Sequence, residues 1–158
     1  MVARVATEDD WTTWRDLRLR ALQDSPSAYG STYEREVAST EGHWRSRAAG
    51  GDGVSVLAWI GDVAVGMGGG FVDLPGWLHV VAMWTDPAYR GRGVGAAVLT
   101  TLETWAGSRD LRLHLDVSTG NPRARLMYER AGYVATGETR PLREGSSDIV
   151  ERMVHGPR

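Results

Sequence analysis

Residues 85–96 read Thr-Asp-Pro-Ala-Tyr-Arg-Gly-Arg-Gly-Val-Gly-Ala, a glycine-rich loop between two apolar segments. The segment before it, LHVVAMWT, is apolar enough to be a strand covered on both faces. The segment after it has the spacing of an amphipathic helix, with apolar side chains at Val94, Val98, Leu99, Leu102 and Trp105. Glycines permit a tight turn that brings N–H groups towards an anion, and a helix N-terminus adds further donors. With Arg90 and Arg92 beside it, this unit predicts a diphosphate-binding loop.

The flanking sequence predicts alternating strands and helices on both sides of this loop. Periodicity and turn residues indicate strands at Val2–Ala6, Val54–Ile60, Val63–Val72, Leu78–Thr85, Leu111–Val117, Tyr133–Thr136 and Ile149–His155. Helices are predicted from Thr7 to Ser25, over Ser39–Ala49, from Val94 to Gly107 and from Asn121 to Gly132. This order predicts one α/β domain over residues 1–158 with a mixed sheet. Simple alternation in the third central strand places residues 79, 81, 83 and 85 on one face.

The composition excludes several kinds of chemistry. The chain has 158 residues and no cysteine, which excludes disulfides, thiolate zinc sites and a cysteine nucleophile. All 18 basic residues are arginine, which excludes a lysine Schiff base and a P-loop lysine. The net charge of −2 argues against nucleic acid or a membrane surface as the main partner. Without a long apolar run or a signal-peptide-like start, the sequence predicts a soluble cytoplasmic protein.

A dinucleotide-binding fold is an alternative interpretation of the glycine loop. Gly91-x-Gly93-x-x-Ala96 matches the dinucleotide fingerprint, and Asp116 follows at a suitable distance. In that fold, however, the first glycine follows its strand almost directly, whereas here residues 86–90 intervene. Only about 60 residues follow the loop, too few for the two halves of a dinucleotide fold. Coincidence is therefore the better interpretation of this match.

A second motif follows the loop on the next predicted helix. It reads Asn121-x-x-Ala124-x-x-x-Tyr128-x-x-x-Gly132-Tyr133. Together with Arg90-x-x-Gly93-x-Gly95, it resembles the two signatures of the GNAT superfamily of N-acetyltransferases, with a tyrosine at 133 where phenylalanine is commoner. The resemblance implies a central mixed, mostly antiparallel β-sheet flanked by about four helices. It also implies acetyl-CoA as the cosubstrate.

The resemblance assigns the cofactor-binding residues. It implies that backbone groups of Met83, Trp84 and Thr85 contact the pantetheine arm of acetyl-CoA, and that Asn121 hydrogen-bonds the same arm. The CoA pyrophosphate is implied to lie on the loop formed by Arg90, Gly91, Arg92, Gly93, Val94, Gly95 and Ala96.

Two residues are candidates for proton transfer. The resemblance places the hydroxyl of Tyr128 near the acyl sulfur, where it protonates the leaving thiolate, and it favours this role over that of a core residue, the usual one for a tyrosine on an apolar helix face. His79 falls where several family members carry a glutamate base. It can serve as the general base, or it can be a strand histidine bonded to solvent or backbone. His114, Asp116 and Asp73 are further candidates for the base.

The acceptor is predicted to contact the variable segments Ser25–Glu36, Leu74–His79 and Gly137–Ser147. In the first segment, Tyr29 and Tyr33 are candidate acceptor contacts, with packing an equal possibility for both. The mixed charges of the third segment suit a small polar amine or a peptide N-terminus. A homodimer, common in this superfamily, is compatible with the sequence. No metal site is predicted, because the four histidines are scattered and cysteine is absent.

Two functions from different classes follow. The first is acetyl-CoA-dependent N-acetyl transfer to a primary amine, by direct attack on the thioester in a ternary complex. The second is a non-catalytic module that binds acyl-CoA and senses it or regulates a partner. Both need the same diphosphate loop, and only the first needs proton transfer by Tyr128.

Overall fold

The computed structural model describes residues 1–156, which form a seven-stranded sheet flanked by five α-helices. The strands are β1 (Val2–Val5), β2 (Gly53–Ile60), β3 (Val63–Leu74), β4 (Trp77–Thr85), β5 (Arg112–Ser118), β6 (Tyr133–Pro141) and β7 (Ile149–His155). The helices are α1 (Trp11–Asp24), α2 (Tyr33–Val37), α3 (Glu41–Ala48), α4 (Val94–Gly107) and α5 (Pro122–Arg130). Among these helices, none has the length and apolar character that crossing a membrane requires.

The sheet has the order β1-β2-β3-β4-β5-β7-β6, and all neighbours are antiparallel except β4 and β5. The chain crosses from β4 to β5 through α4, as a parallel pair requires. The prediction of a mixed, mostly antiparallel sheet is thereby confirmed. The two parallel strands pair from Trp77–Arg112 to Val80–Leu115. Beyond this pairing they diverge, and β4 continues to Thr85 and β5 to Ser118.

Two apolar cores lie on opposite faces of the sheet. One core contains Val98 and Leu102 of α4 and Tyr128 of α5, packed on β2–β5. The other contains Trp14 of α1 and Trp44 of α3, packed on β2–β4. The earlier helices α1 and α3 cover one face and the later helices α4 and α5 cover the other, so the sheet is the middle layer of a three-layer domain.

The glycines of β3 allow α4 to lie directly on the sheet. A Cβ atom at Gly66 would lie 2.4 Å from Val94 Cγ1, and one at Gly68 would lie 2.6 Å from Val98 Cγ1. These distances are too short for real contacts, so any side chain here would push the helix away. The sequence predicted a close approach to this backbone. The approaching groups include side chains of α4.

The largest differences from the sequence prediction are one additional helix and one longer strand. The short helix α2 was not predicted, because its five residues carry too little apolar periodicity. The N-cap Thr32, whose hydroxyl accepts from the backbone N–H of Arg35, marks its start. Strand β6 continues to Pro141, beyond the predicted end at Thr136, so residues 137–141 belong to a strand where a loop was predicted. Gly137, with φ of 85°, sits at an irregularity in this strand and does not end it.

A β-bulge in β4 corrects the predicted facing of its residues. Ala82 has φ of 58°, and the pairing register with β3 shifts beside it. Val81 packs against the core under α1 and α3, whereas Met83 packs against the core under α4. The prediction that residues 79, 81, 83 and 85 share one face is therefore wrong. The extra residue at the bulge moves Met83 and those after it to the opposite face.

Candidate active site

A cleft of about 610 Å³ opens where β4 and β5 diverge. It is bounded by the end of β4, the glycine loop, α5 and the turn that follows α1. Its lining includes most of the predicted site residues: Tyr29, Met83, Trp84, Thr85, Arg90, Gly91, Gly93, Val94, Gly95, Ala96, Asn121 and Tyr128. Arg92, Tyr33 and His79 lie outside this lining. The two sequence motifs therefore meet at one cleft, although they stand on different helices.

The glycine loop is shaped to present backbone donors at the N-terminus of α4. Gly91 and Gly93 have φ of 78° and 80°, in the left-handed region that favours glycine. Gly93 is the N-cap residue, and the first helical bond runs from the N–H of Ala97 to its carbonyl at 3.0 Å. The N–H groups before Ala97 have no partner within the helix, as at every helix N-terminus. This geometry suits an anion such as a diphosphate.

The two arginines of the loop have different surroundings. The guanidinium of Arg90 donates to the Thr85 carbonyl at 3.1 Å and to Asp24 Oδ2 at 2.7 Å. It therefore ties the loop to the end of α1. The guanidinium of Arg92 lies 5.2 Å from the ring centre of Tyr89, on the exposed side of the loop. The sequence predicted an anion-binding role for both arginines, whereas the guanidinium of Arg90 is already bound to Thr85 and Asp24.

Asp24 is a site residue that the sequence prediction missed. Besides the bond from Arg90, its Oδ2 accepts the indole N–H of Trp84 at 3.0 Å. These bonds connect α1, the end of β4 and the glycine loop. The pKa of Asp24 is lowered, mainly by the bond from Trp84, so the carboxylate stays charged. No motif marks Asp24, since its partners lie far away in the sequence.

Tyr29 forms part of the cleft wall and holds the bulged strand. Its hydroxyl donates to the carbonyl of Met83 at 2.8 Å, directly after the bulge at Ala82. The guanidinium of Arg18 lies 4.8 Å from the centre of its ring. Burial raises the pKa of Tyr29, so the hydroxyl keeps its proton. The structure thus gives Tyr29 a clear packing role, with one face in the cleft.

Helix α5 brings Asn121 and Tyr128 to the cleft. Asn121 caps the helix, since its Oδ1 accepts from the backbone N–H of Ala124 at 3.1 Å, as the sequence predicted. A bond to a cofactor arm would therefore use its side-chain N–H groups. Tyr128 is buried, and its ring packs edge-on against Tyr133 at 5.9 Å. Burial raises the pKa of Tyr128, so this hydroxyl carries a proton at neutral pH.

A polar cluster lies on the opposite face of the sheet from α4 and α5. It contains Asp73, His79, His114 and Asp116, and we call these four residues the polar cluster. The Asp73 carboxylate bridges both imidazoles, with Oδ1 2.9 Å from His114 Nε2 and Oδ2 3.3 Å from His79 Nδ1. Asp116 Oδ2 lies 3.9 Å from His79 Nε2. His79 is thus held between two carboxylates, beside the point where β4 and β5 diverge.

Charges around the polar cluster set its ionisation. Burial raises the pKa of Asp116, but hydrogen bonds from Arg152 and Arg140 outweigh it and hold the pKa at about 2. Burial also lowers the pKa of His79, against the opposing effect of Asp116 and Asp73. His79 is therefore neutral near pH 7, with its Nδ1 proton directed at Asp73. That tautomer leaves a lone pair on Nε2.

The third predicted acceptor segment contacts the first directly and reaches the second through Asp116. Arg143, from the β6–β7 connection, donates to the carbonyl of Tyr29 at 3.0 Å. Arg140 bonds Asp116, which neighbours His79. Tyr33, in contrast, packs at the edge of the core under α1 and α3 and stays away from the cleft. The prediction of scattered histidines is also wrong for two of the four, because parallel pairing sets His79 opposite His114.

The family is settled by comparison with known sequences. The sequence model of the acetyltransferase (GNAT) family matches residues 11–133. The chain therefore belongs to the GNAT acetyltransferase family. The dinucleotide interpretation is accordingly wrong, and Asp116, which it needed for a ribose, is bound to two arginines.

Individual relatives agree with this family. N-alpha-acetyltransferase RimI of Mycobacterium tuberculosis is 29% identical over 107 residues, covering 68% of this chain and 61% of that protein. The chain spans less than two thirds of the length of the curated relatives that it matches. Among solved structures, the ribosomal-protein-alanine N-acetyltransferase of Brucella melitensis has a TM-score of 0.77 at 17% identity, over 98% of both chains. yncA from Salmonella typhimurium, solved with its cofactor acetyl-CoA, has a TM-score of 0.77 at 14% identity, over 98% of this chain and 92% of that one. These two structures share the fold.

Proposed function

We propose that this protein is an acetyl-CoA-dependent N-acetyltransferase that acts on a primary amine. The observation that carries the proposal is the cleft itself. It joins a donor-rich glycine loop, the end of β4 beyond its pairing with β5 and the buried hydroxyl of Tyr128. The end of β4 is paired with β3 but no longer with β5, and such a one-sided strand edge beside an anion-binding loop suits a long arm that ends in a diphosphate. Membership of the GNAT family supports the same conclusion.

The residues present fit acetyl-CoA. The N–H groups from Gly91 to Ala96 suit the pyrophosphate, and β4 beyond Val80 offers backbone groups to the pantetheine arm. Acetyl-CoA supplies a thioester whose carbonyl carbon an amine can attack. Backbone N–H groups at the bulge around Ala82 can stabilise the oxyanion, because the bulge turns them out of the regular ladder. Tyr128 holds the proton that the leaving thiolate needs.

The acceptor amine is proposed to approach from the face that carries the polar cluster. The primary amine must lose a proton before or during attack, and Nε2 of His79 is the candidate acceptor of that proton, directly or through water. Asp73 orients the ring from Nδ1, and Asp116 balances the positive charge that forms. The RimI relative is named an N-alpha-acetyltransferase, and the structurally similar Brucella protein is named a ribosomal-protein-alanine N-acetyltransferase. We therefore propose two kinds of acceptor, peptide N-termini and small polar amines.

The direct test is transfer by the purified protein. The chain is incubated with acetyl-CoA and a panel of peptides with free N-termini and small polyamines, and release of CoA thiol is followed. The enzyme proposal expects turnover with members of one class. Acetyl-CoA binding without turnover of any amine would favour the alternative, a non-catalytic acyl-CoA-binding module. The cytoplasmic location, the homodimer and the absence of nucleic-acid and membrane partners stay predictions.

Substituting Gly93 tests the diphosphate loop. Gly93→Val is expected to raise the Kd for acetyl-CoA at least about tenfold, because a β-branched residue does not tolerate φ of 80° and the loop must change shape. Gly61→Val is the matched control, since Gly61 has φ of 58° and open space but lies in the β2–β3 turn. Titration calorimetry measures both. Equal affinities in the two variants would contradict the proposed cofactor site.

Substituting His79 tests the base. His79→Gln is expected to lower kcat about tenfold with little change in the Kd for acetyl-CoA. The effect is modest because part of the amine is already deprotonated in solution and water can accept protons. His43→Gln, at an exposed position of α3, is the control and should keep full activity. Full activity in His79→Gln would assign the base elsewhere and leave His79 a structural residue.

A further inference from the structure

We infer that Asp73, His79 and His114 form a binding site for one divalent transition-metal ion, of the kind that zinc represents. The three donor groups come from the β3–β4 hairpin and from β5, and they converge on one point of the sheet. This site would bind an ion whether or not the protein transfers acetyl groups. Its failure and the failure of the proposed function are therefore separate outcomes.

The distances between the donor atoms fit a single ion. One ligand atom from each residue lies within 4.8 Å of the other two. The two oxygens of Asp73 each approach one imidazole, with Oδ1 2.9 Å from His114 Nε2 and Oδ2 3.3 Å from His79 Nδ1. Donors at about 2.0–2.2 Å from a tetrahedral zinc lie roughly 3.3–3.6 Å from one another. Small rotations of the side chains therefore suffice, and the ion replaces the ring protons that Asp73 now accepts.

The two imidazoles are held in place before any ion binds. His79 and His114 are directly opposite each other in the parallel pairing of β4 and β5, with ring centres 4.8 Å apart. The ring of Phe71 stacks on His79 at 5.4 Å, and Trp77 packs edge-on against His114 at 5.3 Å. Ligands fixed on strands by packing lose little freedom on binding.

The surroundings complete the pattern of a metal–histidine–carboxylate arrangement. If Nδ1 of His79 binds the ion, its Nε2 carries the proton and faces Asp116 Oδ2 at 3.9 Å. Metal-bound histidines usually direct their second ring nitrogen at a carboxylate in this way. Asp116 already accepts hydrogen bonds from Arg140 and Arg152. It therefore contacts the His79 ring, and Asp73 is the carboxylate that binds the ion.

The donor set selects the class of ion. Two imidazole nitrogens and one carboxylate oxygen suit Zn²⁺, Co²⁺, Fe²⁺ or Ni²⁺, whereas Mg²⁺ and Ca²⁺ prefer oxygen ligands only. Three protein ligands leave at least one position for water. Asp73 contributes one negative charge directly, and its carboxylate is partly exposed, which gives an ion a route from solvent.

The test begins with binding. The metal-free protein is titrated with Co²⁺, whose visible ligand-field bands report the geometry, and with Zn²⁺ in competition with a chromogenic chelator. We expect one ion per chain, and at least a tenfold loss of affinity in Asp73→Asn and in His114→Gln. His43→Gln, which removes an exposed histidine outside the site, should bind as the wild type does. No stoichiometric binding, or equal affinity in all variants, would overturn the site.

A second measurement guards against variants that fail to fold. Two-dimensional NMR of the wild-type imidazoles during the Zn²⁺ titration needs no substitution. Shifts confined to His79 and His114 are expected, whereas shifts confined to His43 or His155 would overturn the proposal. The effect of zinc on acetyl transfer separates the role of His79 as a metal ligand from its role as the general base. If zinc occupies the site and acetyl transfer continues unchanged, the metal site stands and His79 is not the base.

Discussion

Tyr128→Phe is expected to lower kcat about a hundredfold and to leave the Kd for acetyl-CoA within about twofold. The substitution removes only the hydroxyl, so the ring keeps its packing against Tyr133 and its place in the cleft wall. Loss of a general acid typically slows a reaction by about 10²–10⁴-fold. Because the thiolate of CoA is a moderately good leaving group, we expect a slowing at the lower end of this range, about a hundredfold. Steady-state kinetics and titration calorimetry on the same preparation measure the two quantities.

Tyr133→Phe is the matched control for this experiment. Tyr133 is also buried and packs against the ring of Tyr128, but it lies outside the cleft lining. Its hydroxyl has no hydrogen-bond partner among residues 1–156, so removing it costs no bond. Activity should stay near wild type. A Tyr128→Phe variant as active as this control would show that the thiolate takes its proton from water and that Tyr128 serves packing.

Glu36→Ala is expected to reduce the free energy of unfolding by about 3–5 kcal/mol. Glu36 and Arg18 form a two-bond ion pair at 2.9 Å for both bonds, with each side chain only 8% exposed. Arg47 donates to the same carboxylate at 2.7 Å. Removal of Glu36 leaves the Arg18 guanidinium buried without its counter-charge, which is the costly way to break such a pair. Urea unfolding followed by tryptophan fluorescence measures the loss.

Glu41→Ala is the control for the ion pair. Glu41 also pairs with an arginine, Arg45, at 2.8 Å, but its side chain is 56% exposed. Exposed pairs of this spacing contribute about 0.3–0.5 kcal/mol. A similar small loss in Glu36→Ala would mean that the freed Arg18 turns to solvent. The Glu36→Ala substitution should also loosen the cleft wall, because it frees Arg18, which packs on the ring of Tyr29.

The sequence predicted the sheet well because its signals are local. Alternation in residues 111–117, the turn at Gly61-Asp62 and the caps of α5 each depend on neighbours in the chain. The glycine loop was predicted for the same reason, since its helix N-terminus and its left-handed glycines need no distant partner.

The bulge at Ala82 shows where local patterns stop being informative. Alternation cannot reveal one extra residue in a strand whose residues are apolar on both faces. The consequence is large, since Met83 and Thr85 change face relative to His79. The sequence placed Met83 and Thr85 on the same face of β4 as His79, whereas the structure places them on the other face.

The polar cluster depends on pairings that the sequence does not contain. His79 and His114 meet only because β4 and β5 are parallel neighbours in one particular register. Asp73 joins them through an irregularity near the end of β3, where pairing shifts between Val72 and Leu74. A shift of one residue in the β4–β5 register would place these groups on opposite faces.

The single parallel pairing also divides the domain mechanically. Strands β1–β4 form one continuous antiparallel section, and β5–β7 form another. Only four residue pairs, from Trp77–Arg112 to Val80–Leu115, join the two sections within the sheet. The cleft lies along this seam, with β4 and the turn after α1 on one side and α5 on the other. A ligand in the cleft therefore contacts both sections at once, and its binding energy adds to the few residue pairs that hold them together.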